Sequence, residues 1–302
     1  MKKERIPVPV QTGEWVHIYK PQPDVYLGLD TENFRHGSRY ETWITNDFSI
    51  IRDDGMWRMV GITHPNPPAF VDAFNYEAGV HEAEFQLFHA TAPGSDFSDV
   101  FRDGAFAEQR KLLYPAERPG DGRELWAPHL MKREGKYHII YSPHIMRRAV
   151  SEDLKSWQIL PMFTCDSGAA RDPYLYEEDG TFYCIYTESR QLLCRTSEDL
   201  IDWSAPFVLQ KSMFNCENES PCFVKRDGWY YLFWSSYDGR NGCYDHRTFV
   251  FAGRTMAELY DSAPITMLRG HAPEVIESGG EWYFLSVFYP NNGISAIKLN
   301  WE

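Results

Sequence analysis

Apolar residues fall along this chain in short runs separated by polar turns, with no helical periodicity of useful length. One passage runs Asp172-Pro173-Tyr174-Leu175-Tyr176, then Glu177-Glu178-Asp179-Gly180, then Thr181-Phe182-Tyr183-Cys184-Ile185-Tyr186. It reads as a strand, a Gly-containing tight turn and a second strand rich in aromatic and β-branched residues, which is a hairpin signal. The same grammar returns in Ala127-Pro128-His129-Leu130 with Gly135 to Tyr141, and in Ser220-Pro221-Cys222-Phe223 with Asp227 to Phe233. It returns again in Ala272-Pro273-Glu274-Val275 with Gly280 to Leu285, and first of all in Asp47-Phe48-Ser49-Ile50-Ile51 with Asp54 to Val60. Two copies continue into one further element: Ser151-Glu152-Asp153-Leu154 leading to Trp157, and Ser197-Glu198-Asp199-Leu200 leading to Trp203. A third strand before that turn and a fourth after it make each unit a four-stranded antiparallel meander.

The copies lie about 45 to 50 residues apart, apart from a first gap nearer 80 that holds an insertion between Pro65 and Glu84. A four-strand unit at that period is a β-propeller blade. The pattern therefore predicts an all-β chain, residues 1–302, folded as a single five-bladed β-propeller with inner strands starting near 47, 127, 172, 220 and 272. A β-sandwich is the alternative all-β reading, but sandwiches do not repeat one turn at a fixed period.

Composition narrows the function. Lys plus Arg number 30 and Asp plus Glu 43, a formal net charge of −13. That balance argues against nucleic acid, whose phosphates need a basic patch, and against an anionic membrane surface. No apolar run is long enough to span a membrane, and Met1 to Val10 lacks the apolar stretch of a signal peptide. The expected compartment is the cytoplasm for the chain as written, or an exported location had a signal been removed. The cysteines Cys165, Cys184, Cys194, Cys216, Cys222 and Cys243 include no C-x-x-C pair and read as buried free thiols rather than a zinc site.

A repeat separates scaffold from site, because residues that differ at aligned positions are free to do chemistry. Aligned on Phe48, Pro128, Pro173, Pro221 and Pro273, the preceding residues are Asp47, Ala127, Asp172, Ser220 and Ala272. One place earlier stand Asn46, Trp126, Arg171, Glu219 and His271. In a propeller these positions converge near the axis. Three acids held together there have no structural use, and their repulsion in a partly dry pocket shifts their pKa values. Carboxylates with aromatics, and no nucleophilic Ser or Cys constellation, suit glycoside hydrolysis: one acid protonates the leaving oxygen, and a second carboxylate activates water or attacks the sugar. Trp126 and Trp43 are candidate platforms for a sugar ring.

From Glu41 onward, at these residues, the chain resembles the five-bladed propeller glycosidases, above all glycoside hydrolase family 43. The resemblance implies Asp47 as general base, Asp172 as pKa modulator and orienter, and Glu219 as general acid. With Trp43, the residues Asn46, Trp126, Arg171 and His271 are the candidate substrate contacts. The resemblance makes His271 the family's axial histidine, which in some members sits by a bound calcium or water. No cofactor is required by that chemistry, though a structural calcium at the axis is compatible with it. The implied substrate is an oligosaccharide or glycoside of pentose type, cleaved from the chain end with inversion, as by a β-xylosidase or α-L-arabinofuranosidase. The sequence departs from the family pattern at Phe48, where Pro is usual, at Ser220, where Gly is usual, and at His129, where Asp is usual. Family 32, a sister group of retaining β-fructosidases, shares the acid order but normally carries a further sandwich domain. A catalytically silent sugar-binding propeller is the remaining alternative.

Other signals carry less. Glu217 is a rival acid to Glu219, which the Pro alignment prefers. Asn218-Glu219-Ser220 matches a glycosylation pattern that would block the site, and is read as chance. His64, His81 and Glu82 border the insertion as either pocket-mouth or solvated loop residues.

Overall fold

The first hairpin of every repeat turns on two consecutive residues with positive φ. They are Asp54 (48°) and Gly55 (72°), Glu134 (51°) and Gly135 (79°), Asp179 (50°) and Gly180 (79°), Asp227 (50°) and Gly228 (74°), and Gly279 (62°) and Gly280 (81°). Paired positive φ values mark the type I′ turn, whose twist matches the flanking strands and whose second place favours glycine. A second shared device is the Ser-x-Asp-Leu turn. Ser151 Oγ accepts from the Leu154 amide at 2.9 Å while Asp153 Oδ1 accepts from Lys155 and Ser156 at 2.8 and 2.9 Å. Ser197 and Asp199 repeat these bonds with Leu200, Ile201 and Asp202 at 2.9, 2.8 and 2.9 Å.

The computed structural model describes residues 5–27, 37–65, 84–121, 124–143, 145–165, 170–211, 215–237 and 246–302. His81, Glu82 and Cys243 lie outside them. Blade 1 runs Trp43–Asp53, Met56–Pro65, Gln86–Pro93 and Ala107–Glu108. Blade 2 runs Trp126–Arg133, Lys136–Ser142, Ile145–Ser151 and Gln158–Thr164. Blade 3 is Arg171–Glu178, Thr181–Glu188, Gln191–Ser197 and Phe207–Gln210, and blade 4 is Glu217–Arg226, Trp229–Tyr237, Arg247–Gly253 and Thr266–Arg269. Blade 5 has His271–Ser278, Glu281–Val287 and Ile294–Trp301. The inner strand of each blade packs on that of the next, and that of blade 5 on blade 1, so the ring is closed. The fold is the all-β five-bladed propeller that the repeat predicts. No helix among the described residues is long and apolar enough to cross a membrane.

One feature corrects the repeat reading. The fifth copy does not supply its own fourth strand. Pro9–Tyr19, from the other end of the chain, pairs antiparallel with Ile294–Trp301 and becomes the outer strand of blade 5. The pairing ties the two ends of the described chain together within one blade, which closes the ring.

Apolar side chains lie between the blades rather than at the axis. Each second strand feeds two neighbouring interfaces with successive residues. Ile139 packs between blades 1 and 2, and Ile140 between blades 2 and 3. Cys184 and Ile185 divide in the same way around blade 3, Leu232 and Phe233 around blade 4, Phe284 and Leu285 around blade 5, and Met59 and Val60 around blade 1. Period-two alternation with both faces covered explains why these strands read as nearly unbroken apolar runs. Cys184, Cys194, Cys216 and Cys222 are buried free thiols in these layers, with Cys165 half-buried.

Ile18 of the closing strand is fully buried between blades 5 and 1. Ile18→Ala is expected to cost about 3 kcal/mol and to lower the thermal midpoint by about 5 °C. Ile201→Ala, at a side chain exposed on blade 3, is expected to stay within about 0.5 kcal/mol. Thermal and denaturant unfolding check both.

Candidate active site

The inner strands are interrupted where they reach the hub. Between Arg171↔Thr187 and Tyr174↔Ile185, three steps on the inner strand face two on its neighbour. The same one-residue bulge separates Trp126 from His129, Glu219 from Cys222 and His271 from Glu274. Each holds a proline, which has no N–H to give to the ladder. A bulge re-aims the side chains beside it. In blade 1, Phe48 keeps its N–H, and the ladder runs one residue further, to Phe48↔Gly61. Gly61 makes that possible, since a Cβ there would lie 2.7 Å from Phe48 Cβ and 2.3 Å from Phe88 Cε1. The bulge of blade 1 therefore falls one place earlier, and Asp47 lacks the positive φ of Ala127, Asp172, Ser220 and Ala272.

One axial cavity is lined from all five inner strands, by Asp47, Ala127, Asp172, Ser220 and Ala272 among others. Ser220 ties two of the acids together. Its amide donates to Asp172 Oδ2 at 3.1 Å, and its hydroxyl donates to Asp47 Oδ1. Arg171 joins the third: its Nη2 donates to Glu219 Oε1 at 3.1 Å, lies 3.7 Å from Glu217 Oε2, and its Nε lies 3.7 Å from Asp172 Oδ2. His271 Nε2 stands 3.6 Å from Glu219 Oε2. Asp47, Asp172, Glu219, Arg171 and His271 are thus brought together from blades 1, 3, 4 and 5. Asn46 is buried beside Asp47, and Trp126 stands half-buried at the same level of blade 2.

Charge decides what this cluster can do. Burial pushes the Glu219 carboxyl up to about 7, against the pull of Arg171, with Asp172 adding to the rise. Burial, then Asp172, also holds the Asp47 carboxyl well above the usual range, while the Ser220 hydroxyl draws it down and Glu219 and Glu84 raise it further. Crowded carboxylates in a dry pit keep a proton near neutral pH, so a protonated and an ionised carboxyl coexist there. Burial keeps the His271 imidazole neutral, with its pKa near 3.

Several residues stand apart from their expected places. Trp43 offers no open face to a sugar: it is 3 % exposed, packed with Tyr26 and Phe85, with Lys111 Nζ 4.4 Å over its ring. It sits inside blade 1 because three bulky groups cover it. Glu217 is engaged by Arg190 Nε at 2.9 Å as well as by Arg171, which makes it an ion-pair partner. Asn218 is buried and its amide donates to Arg190 O at 3.2 Å, so no glycan can attach. His64 is buried on the second strand of blade 1, opposite Ile44. A calcium ion takes six to eight oxygen ligands. His271 is a buried nitrogen donor, and no three His, Cys, Asp or Glu side chains among the described residues are grouped to hold a metal. Two contributors are given no role by the sequence. Ser220 occupied an aligned ring position, which was the available signal. Glu84, buried behind Asp47, follows the insertion and had none.

A closed propeller with acid-lined inner strands meeting at its hub is the architecture of a glycosidase. The family model for glycosyl hydrolases family 43 matches residues 107–286, which take in Asp172 and Glu219 and begin beyond Asp47. The chain belongs to that family. Among solved structures, a thermostable family-43 glycoside hydrolase superposes with TM-score 0.63 at 16% identity, covering 87% of this chain and 90% of that one. A family-43 enzyme from Xanthomonas citri in complex with xylose gives 0.60 at 15%, covering 85% and 86%. A β-xylosidase/α-arabinofuranosidase from a compost metagenome, in complex with xylotriose, gives 0.58 at 14%, covering 85% and 91%. No curated protein matches the chain. A family 32 β-fructofuranosidase from Bombyx mori also superposes, with TM-score 0.58 at 15% identity, covering 85% of this chain and 58% of that one.

Because Arg171 lowers the Glu219 pKa, Arg171→Met should raise it above 7. Carboxyl carbon NMR on labelled protein is expected to show the Glu219 resonance titrating near pH 7 in the wild type and at higher pH in the variant.

Proposed function

We propose that this glycosidase removes pentose residues of the xylose or arabinofuranose type from the ends of glycosides, with inversion at the anomeric carbon. The observation that carries this reading is the meeting of Asp47, Asp172 and Glu219, from three different blades, around Arg171 and Ser220. The substrate class rests on family 43 relatives whose structures hold xylose or xylotriose.

In this mechanism Glu219 carries the proton and delivers it to the glycosidic oxygen as the bond to the anomeric carbon breaks. Asp47 accepts a proton from the water that attacks the opposite face. Asp172 touches neither reacting oxygen. Its charge keeps the Glu219 proton in place, and its carboxylate is fixed by the Ser220 amide and Arg171. Trp126 offers its half-buried ring to the sugar, and Arg171 its guanidinium edge.

Activity then needs Asp47 ionised and Glu219 protonated. The Glu219 pKa is raised to about 7, so kcat/KM should fall as pH rises through 7, and should fall on the acid side as Asp47, itself held well above the usual carboxylate range, takes up a proton. Asp47→Asn and Glu219→Ala are each expected to lower kcat by about 10³-fold with the fold intact by circular dichroism. Glu219→Ala should hurt xylo-oligosaccharides more than nitrophenyl glycosides, whose leaving group needs little protonation. Proton NMR of the first-released sugar should show the anomer opposite to the substrate; the same anomer would overturn inversion. Undiminished turnover in both variants would overturn the assignment of the acids, and no turnover of any xyloside or arabinofuranoside by the wild type would overturn the substrate class.

A further inference from the structure

Ser220 sits where glycine would be the easier residue. Its φ is 50°, in the left-handed region that disfavours side chains and suits glycine. The part of Ser220 that holds Asp172 is its backbone amide, which a glycine would also supply. The serine side chain adds one interaction that glycine lacks, the hydroxyl donated to Asp47 Oδ1.

Asp47 needs that donor. The charged groups facing it are Asp172 from blade 3, Glu219 from blade 4 and Glu84 from the segment leading into the third strand of blade 1, all acidic. Arg171 lies beyond them, engaged with Asp172, Glu217 and Glu219. His271, next to Glu219, is neutral, and His129 and Glu274 also line the axial cavity. Every carboxylate near Asp47 favours its protonated, inactive form. A hydrogen bond to the ionised form works in the opposite direction.

We propose that Ser220 is a positioning residue for hydrolysis: its hydroxyl favours the carboxylate form of Asp47, and by engaging Oδ1 fixes which oxygen, Oδ2, is turned to the attacking water. The inference rests on the reading of Asp47 as the base. Ser220 donates a hydrogen bond and transfers no proton, so the proton taken from water still ends on Asp47.

The test compares Ser220→Gly and Ser220→Ala with the wild type and with Asp47→Asn, on a nitrophenyl pentoside across pH. Ser220→Gly relieves the left-handed backbone, so its thermal midpoint should equal or exceed that of the wild type. Ser220→Ala keeps the unfavourable φ and serves as the second hydroxyl-free variant. Loss of the hydroxyl raises the Asp47 pKa, so in both variants the acid limb of kcat/KM should move up by roughly one pH unit, with kcat falling about ten-fold and KM little changed. The alkaline limb, set by Glu219, should stay in place. A merely structural serine would alter the midpoint and leave the acid limb where it was. If Asp47→Asn is inactive and the acid limb of Ser220→Gly matches the wild type, the Ser220 inference fails and the base assignment stands. If Asp47→Asn remains active, the base assignment fails and this inference with it.

Discussion

A strand that is apolar on both faces must be covered twice, and this requirement organises the whole molecule. In the second strand of each blade, successive residues send their side chains to opposite sides, as with Ile139 and Ile140 or Leu232 and Phe233. A single open sheet stack would leave its first and last sheets with one bare face. Closing the stack into a ring gives every sheet two neighbours. At roughly 25 cal/mol per Å² of apolar surface removed from water, a bare sheet face would be a large loss. The need to bury both faces thus selects closure, and closure creates a hub.

The hub is where the scaffold stops being regular. Proline and the bulge it enforces end the ladder at the same height in four blades, and Phe48 with Gly61 shifts the bulge by one residue in the fifth. Asp172 and Ser220 hold left-handed backbone conformations that ordinary strands avoid. Strain of that kind persists where surrounding structure over-determines it, and it gathers at functional sites. Here it aims short side chains at one another across the axis. Tight packing between the blades makes the aim rigid, which acid–base chemistry on a sugar requires.

Much of this was legible in the order of residues. The glycine turns and the Ser-Glu-Asp-Leu elements are local, and local chemistry repeats visibly. The convergence of Asp47 and Asp172 followed from their equal distances to those turns, and Glu219 stood one place earlier in the same alignment. What was not legible depended on contacts between remote parts of the chain. Nothing in Pro9–Tyr19 announces that it completes blade 5, because its partner strand is the last one in the sequence. Trp43 looked available because aromatic residues near acids suit sugars, yet Lys111, Tyr26 and Phe85 cover it from positions far along the chain. Ser220 was visible as a departure from pattern, but only its distance to two carboxylates gave the departure a use.

Val8 and Glu302 exchange backbone hydrogen bonds at 2.8 and 2.9 Å, just beyond the closing strand. During synthesis on the ribosome, blades 1 to 4 can pair their own strands as they emerge, while blade 5 waits for its last residues before it can meet the first strand. The pit draws on His271 from that blade as well as on Asp47 from the first. A chain that lacks the Ile294–Trp301 strand therefore holds Asp47, Asp172 and Glu219 and still lacks the partner that joins Pro9–Tyr19 to blade 5.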